Sequence, residues 1–202
     1  MVNYPNGKKT EWKRSPTSYS DRGMGLEKDI NTTNMHYLNM DKAVIHKKPT
    51  PVQVVKVDFP DRTAAKIIEA YYKTPSTTDY NGVYRGKYLD FEAKECASKT
   101  SFSLKLIHPH QLQHLKQCIK HGGICFVIFR LTHYDLTYLV DAKILLDYID
   151  QLDRKSIPYQ WFKEHGHIIN EYFGKPCDYL EVVDALYFNK EVSDGKQKAK
   201  AE

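Results

Sequence analysis

Lys87-Tyr88-Leu89-Asp90-Phe91-Glu92-Ala93-Lys94 alternates apolar and polar side chains from Tyr88 onward, a period of two that belongs to a β-strand and not to a helix. The alternation predicts Leu89, Phe91 and Ala93 on one face, turned to the core. Asp90, Glu92 and Lys94 then share the opposite face, where chemistry can be done. Just upstream, Asn81-Gly82 and Arg85-Gly86 are turn signals around a short run that can only be extended. Asp79 falls at a strand or turn edge, thirteen residues before Glu92.

Residues i and i+2 on a strand lie roughly 6.5–7 Å apart, so Glu92 can bind a cation while Lys94 reaches a phosphate or water beside it. Mg²⁺ takes oxygen ligands in octahedral geometry and keeps several waters. Two carboxylates, Asp79 and Glu92, with one or two neutral oxygens would hold it, where it would polarise a scissile phosphate and acidify the attacking water. The compact charge of Lys94 suits the negative charge that builds on phosphorus. Glu-x-Lys on its own is common on solvated strand faces, so spacing alone leaves that plain reading open.

Other segments narrow the choice. Ser20-Asp21-Arg22-Gly23-Met24, Ala43-Val44-Ile45-His46-Lys47-Lys48-Pro49-Thr50-Pro51, Ser76-Thr77-Thr78-Asp79-Tyr80-Asn81-Gly82, Asp90-Phe91-Glu92-Ala93-Lys94, His108-Pro109-His110-Gln111 and Gly123-Ile124-Cys125-Phe126-Val127 follow one another in order. Together they resemble the RecU family of bacterial Holliday junction resolvases over most of residues 20–190. The resemblance implies a metal site of Thr77, Asp79, Glu92 and Gln111 holding one or two Mg²⁺, with Lys94 as transition-state stabiliser. It implies a homodimer that nicks opposing strands of a junction symmetrically, leaving 5′-phosphate and 3′-hydroxyl ends, in homologous recombination and DNA repair. It further implies contact with the recombinase RecA and a stalk that reaches into the centre of the four-way junction.

Read without the resemblance, two of these residues are ordinary. Gln111 opens a helical pattern of Leu112, Leu115, Cys118 and Ile119, with Pro109 suited to the first turn, and its plain reading is a solvated first-turn side chain. Thr77 lies in a Pro75-Ser76-Thr77-Thr78 stretch of loop character. Between Pro49 and Pro75 lies an insertion a nuclease core does not need. Val52 to Phe59 is strand-like, whereas Ile67, Ile68, Tyr71 and Tyr72 also fit helical spacing. With the stalk in view we expect a hairpin arm with Arg62 and Lys66 near its tip as phosphate contacts, and Tyr71 and Tyr72 as packing residues.

The chain has 202 residues and a formal charge of +5, enough for one core with an appendage. Basic residues concentrate early, at Lys8, Lys9, Lys13, Arg14, Lys47 and Lys48, which favours a polyanionic partner and makes Lys47 and Lys48 candidates for DNA contact. Cys96, Cys118, Cys125 and Cys177 show no Cys-x-x-Cys pairing, which argues against a structural zinc or a disulfide framework and for buried thiols. His108, His110 and His114 cluster but have no thiolate or carboxylate partners at fixed spacing. No apolar run approaches a membrane span and the N-terminus lacks a secretory signal, so the expected location is the cytoplasm.

The remaining pattern predicts a flexible basic arm over 1–19, a nuclease domain over 20–190 with the stalk at about 50–75, and a disordered tail over 191–202. A helix is expected from Gly25 to Leu38, with Leu26, Ile30, Tyr37 and Leu38 on one face; Glu27, in its first turn, suits the helix dipole and is kept out of the site. Strands are expected at Ala43–His46, Ile124–Leu131 and Tyr138–Val140, and helices at Ala142–Leu152, capped by Asp141, and Tyr179–Phe188. This is an α/β chain, a mixed β-sheet flanked by helices with a protruding arm, the restriction-endonuclease-like architecture of the family. Two rival functions share such a site: a sequence-specific type II restriction-like endonuclease, and an architectural protein that binds junctions without cutting.

Overall fold

The computed structural model describes residues 24–60, 64–73 and 76–189. The expected arm over 1–19, the tail over 191–202 and Arg62 lie outside the described residues.

The strand that opened the sequence reading lies in the middle of the sheet. We number the strands β1 (Val44–Lys47), β2 (Val52–Asp58), β3 (Lys66–Tyr72), β4 (Tyr80–Tyr84), β5 (Lys87–Cys96), β6 (Ser101–Ser103), β7 (Ile124–Leu131), β8 (Leu136–Asp141), β9 (Ser156–Pro158) and β10 (His167–Ile168). The main sheet runs β1-β4-β5-β7-β8-β10. Only β5 and β7 pair in parallel within it; the other neighbours are antiparallel. A parallel pair needs a long crossover, and helix α2 (Pro109–Lys120) lies on it.

Both faces of β5 are covered. Leu89 and Phe91 join a cluster with Leu26, Ile30 and Tyr37 of α1 (Met24–Asn39), and Phe91 stacks between Tyr80 at 4.9 Å and Phe126 at 4.7 Å. On the other face Val127 and Phe129 of β7 pack with Leu115 of α2, Leu145 of α3 (Ala142–Asp150) and Phe162 of α4 (Tyr159–His165). Asp90, Glu92 and Lys94 share this second face, since they pair across from Cys125, Val127 and Phe129. The chemistry-bearing face is therefore largely an interior one, with a cavity at the Lys94 end of the strand.

Two local expectations within the core change. Asn81-Gly82 is not a turn: it lies inside β4, where Gly82 meets Ile45 so closely that a Cβ would stand 2.2 Å from the Val44 carbonyl oxygen. The turn is made by Arg85-Gly86 alone, with φ of 49° and 72°, the two positive angles of a tight hairpin. Leu38 is exposed; the buried stripe of α1 continues instead through Thr33 and Asn34, which bond the Cys177 amide and the Tyr179 hydroxyl.

The segment of ambiguous period is a strand. β2 and β3 form a separate antiparallel ribbon, and its apolar side chains, Val54, Val55, Ile67 and Ile68 among them, are exposed. Tyr71 and Tyr72 are exposed as well, at 62% and 85%, and so are not the packing residues expected: the ribbon stands off the core and offers them nothing to pack on. Downstream, Asp141 caps α3 by accepting from the Lys143 and Ile144 amides, and the last helix is α5 (Tyr179–Val183) continued by a π-helical turn over Asp184–Phe188. Strands β6, β9 and β10 and helix α4 carried too short a pattern to be anticipated.

Candidate active site

The β4–β5 hairpin register places Asp79 opposite Glu92. Tyr80 pairs with Phe91, so the residue before β4 faces the residue after Phe91, and the Asp79 amide donates to Glu92 Oε2 at 3.1 Å. The Asp79 carbonyl accepts from the Lys48 amide at 2.7 Å, which fixes this residue's backbone from both sides. Lys94 Nζ lies 2.8 Å from Glu92 Oε1. A cavity of about 350 Å³ opens here at the end of β5, with Glu27, Asp79, Lys94 and Glu95 in its wall.

Glu92 is fully buried. Burial pushes its carboxyl up to about 8, the neighbouring Asp79 pushes the same way, and Lys94 opposes them incompletely. Although Lys94 is within ion-pair distance, Glu92 Oε1 has no aligned hydrogen bond. A buried carboxyl pushed toward its neutral form beside a second carboxylate is the environment a hard cation relieves. Asp79 and Glu92 offer carboxylate oxygens, with Glu27 and Glu95 also in the cavity wall, and such oxygens suit a hard divalent cation better than a soft metal.

The other expected residues are placed unequally. Gln111 is buried, which overturns its plain reading as a solvated side chain; its Oε1 accepts from the His108 amide at 2.9 Å, closing a capping box at the start of α2. Thr77 is exposed, with its hydroxyl donated to the Thr78 carbonyl at 3.2 Å. Lys47 pairs with Glu27 at 2.6 Å, and Lys66 is exposed at the start of β3. Lys48 turns inward, only 16% exposed in its side chain, and pairs with Asp90 at 2.7 Å. Its ammonium is not free for DNA, as the sequence reading had it, because a buried carboxylate requires a partner.

Two acidic residues that the sequence reading left out of the site lie at or beside it. Glu27 stands in the cavity wall although the sequence reading explained it by the helix dipole alone. Asp90, read only as one polar residue of an alternating strand, accepts from Lys48 Nζ, Thr78 Oγ1, Tyr88 OH and His114 Nε2. Burial would raise its pKa, but these bonds outweigh burial and hold it below the usual carboxylate range. The only sequence signal was an ionisable residue between Leu89 and Phe91, where a strand covered on both faces tolerates none without partners. All four cysteines are free, but Cys96 and Cys118 are only half-buried.

A mixed sheet that aligns a buried carboxyl, a second carboxylate and a lysine at one strand end defines a nuclease-type site, built for attack on a phosphodiester. Residues 21–185 match the family described as recombination protein U, and the chain belongs to this RecU family. It is 51% identical to the Holliday junction resolvase RecU of Shouchella clausii over 96% of this chain and 98% of that protein. It is 52% identical to the Holliday junction resolvase RecU of a Geobacillus species, strain WCH70, over 94% of this chain and 99% of that one. The solved structure of Archaeoglobus fulgidus Hjc, a Holliday junction resolvase, covers 72% of this chain and 95% of its own at 12% identity and a TM-score of 0.41, too slight a likeness to argue from.

Proposed function

We propose that the protein is a Mg²⁺-dependent endonuclease that resolves Holliday junctions by nicking opposing strands symmetrically, in homologous recombination and DNA repair. The observation that carries this reading is the fully buried Glu92 carboxyl, held between the Asp79 amide and the Lys94 ammonium at the mouth of the cavity, in a chain of the RecU family. Asp79 and Glu92 would hold the cation, with Thr77 and Gln111 supplying neutral oxygens. The bound ion supplies Lewis-acid polarisation of the phosphate and an acidified water. Lys94 places a positive charge beside the phosphate as negative charge accumulates, which lowers the barrier only because that charge is fixed beforehand. Glu92 must first release the proton that burial favours.

Lys47, Lys66 and Arg62 serve as phosphate contacts, with Lys66 on the hairpin and Lys47 beside Glu27 at the cavity. The hairpin carries the preference for a branched substrate, and the working unit is a homodimer, since paired cuts on a two-fold junction need two sites. Contact with the recombinase RecA and a cytoplasmic location belong to the same reading; among the described residues no helix is long and apolar enough to cross a membrane. Synthetic mobile and immobile four-way junctions, incubated with and without Mg²⁺ beside linear duplex, test the assignment. Symmetric nicking of junctions that stops without Mg²⁺ is expected. Cutting of linear duplex at a fixed sequence with equal ease would favour a restriction-type enzyme instead.

A further inference from the structure

Behind the carboxylates lies a second polar group that the cleavage chemistry does not use. Asp90 is fully buried on β5, two residues before Glu92. Its Oδ1 accepts the Thr78 hydroxyl, and its Oδ2 accepts from Lys48 Nζ at 2.7 Å and Tyr88 OH at 2.7 Å, with His114 Nε2 at 3.1 Å. Lys48 Nζ also donates to Thr78 Oγ1 at 2.9 Å. Asp90, His114 and Cys118 bring ligand atoms within 4.8 Å of one another, an arrangement that suggests a metal. The place is taken: the Lys48 ammonium stands against Asp90 and 3.5 Å from His114 Nε2. The group already contains its cation.

What the group holds is the segment carrying Asp79. Thr78 is the buried residue of Thr77-Thr78-Asp79, and its hydroxyl is locked by Asp90 and Lys48 together. The same Lys48 donates its backbone amide to the Asp79 carbonyl at 2.7 Å. We infer that Asp90, Lys48 and Thr78 form a clamp that positions Asp79 against Glu92, so that Thr78, beside the expected ligand Thr77, is a positioning residue for the cation site. A carboxylate displaced by about 1 Å is enough to cost a large factor in a preorganised site. The inference rests on the proposed role of Asp79 as a cation ligand.

Thr78→Val keeps the shape of the side chain and removes the hydroxyl; Thr78→Ser keeps the hydroxyl. The full-length protein is titrated with Mg²⁺ alone, following the rise in melting temperature, and in parallel its junction cleavage is measured. We expect Thr78→Val to need at least about tenfold more Mg²⁺ for half-maximal stabilisation and for half-maximal cleavage, and Thr78→Ser to restore both to within about twofold. Should Thr78→Val lose a cooperative melt, the double variant Lys48→Met/Asp90→Asn reads the same clamp without leaving a lone buried charge, with the same shift expected. An unchanged Mg²⁺ midpoint in the folded variant, or a serine variant as impaired as the valine one, overturns the inference. Wild-type protein that is stabilised by Mg²⁺ but leaves junctions uncut overturns the proposed function alone, and the clamp is still decided by the melting midpoints.

Discussion

Glu92 shows most sharply how function conflicts with stability in this fold. Its folded carboxyl sits at about 8 against an ordinary 4.5. A raised acid stabilises fully below its unfolded value, where both states keep the proton, and that stability is lost as pH rises through the folded value. Metal-free protein should therefore lose stability between about pH 4.5 and 8 through this one residue. Glu92→Gln should be more stable than wild type by on the order of 1–3 kcal/mol at neutral pH in chelator, and inactive; chemical denaturation read beside cleavage checks both. Asp90 has the opposite sign: its depressed pKa gives stability that is present above 3.8 and lost as pH falls through the folded value. Acid unfolding of Asp90→Asn, followed from pH 5 downward, should show a shallower fall than wild type. At this scale strand period put Glu92 and Lys94 on one face, but spacing alone left a plain solvated pair open, and it was the family resemblance that singled them out with Asp79. The sequence hid Asp90, because four donors from Lys48, Thr78, Tyr88 and His114 converge on it only after β1, β4 and α2 have packed.

The β4–β5 hairpin is the element on which the site depends. Its tight Arg85-Gly86 turn sets the register that faces Asp79 to Glu92, and Phe91, packed between Tyr80 and Phe126, anchors the strand. Phe91→Ala should cost about 3–5 kcal/mol, measured by denaturant unfolding. The long alternating strand and the amphipathic pattern of α2 were readable in advance. Asn81-Gly82 misled because a glycine demanded by close strand approach looks, in sequence, like one demanded by a turn. The β2–β3 ribbon was ambiguous for a related reason: exposed on both faces, it has no burial pattern for periodicity to report. Replacing residues 52–72 with a short turn should leave a folded, Mg²⁺-responsive protein that has lost its preference for four-way junctions over linear duplex; a retained preference, in competition binding, would remove the ribbon from substrate choice.

The whole molecule joins a sheet buried on both faces to a ribbon buried on neither. The first holds carboxylates that repel each other, and the second presents Ile67, Ile68, Tyr71 and Tyr72 outward. Membership in the RecU family was legible in sequence blocks spread across the chain, while the cavity and its Glu27 wall required the folded arrangement of α1 against β5. The central claim is that Asp79, Glu92 and Lys94 cut junctions together with Mg²⁺. The most direct test compares wild type with Asp79→Ala and Glu92→Ala on one labelled four-way junction, reading binding in Ca²⁺ and cleavage in Mg²⁺ in the same preparation. We predict that both variants bind the junction within about threefold of wild type and that their cleavage falls by at least about a hundredfold; undiminished cutting by either variant would contradict the account.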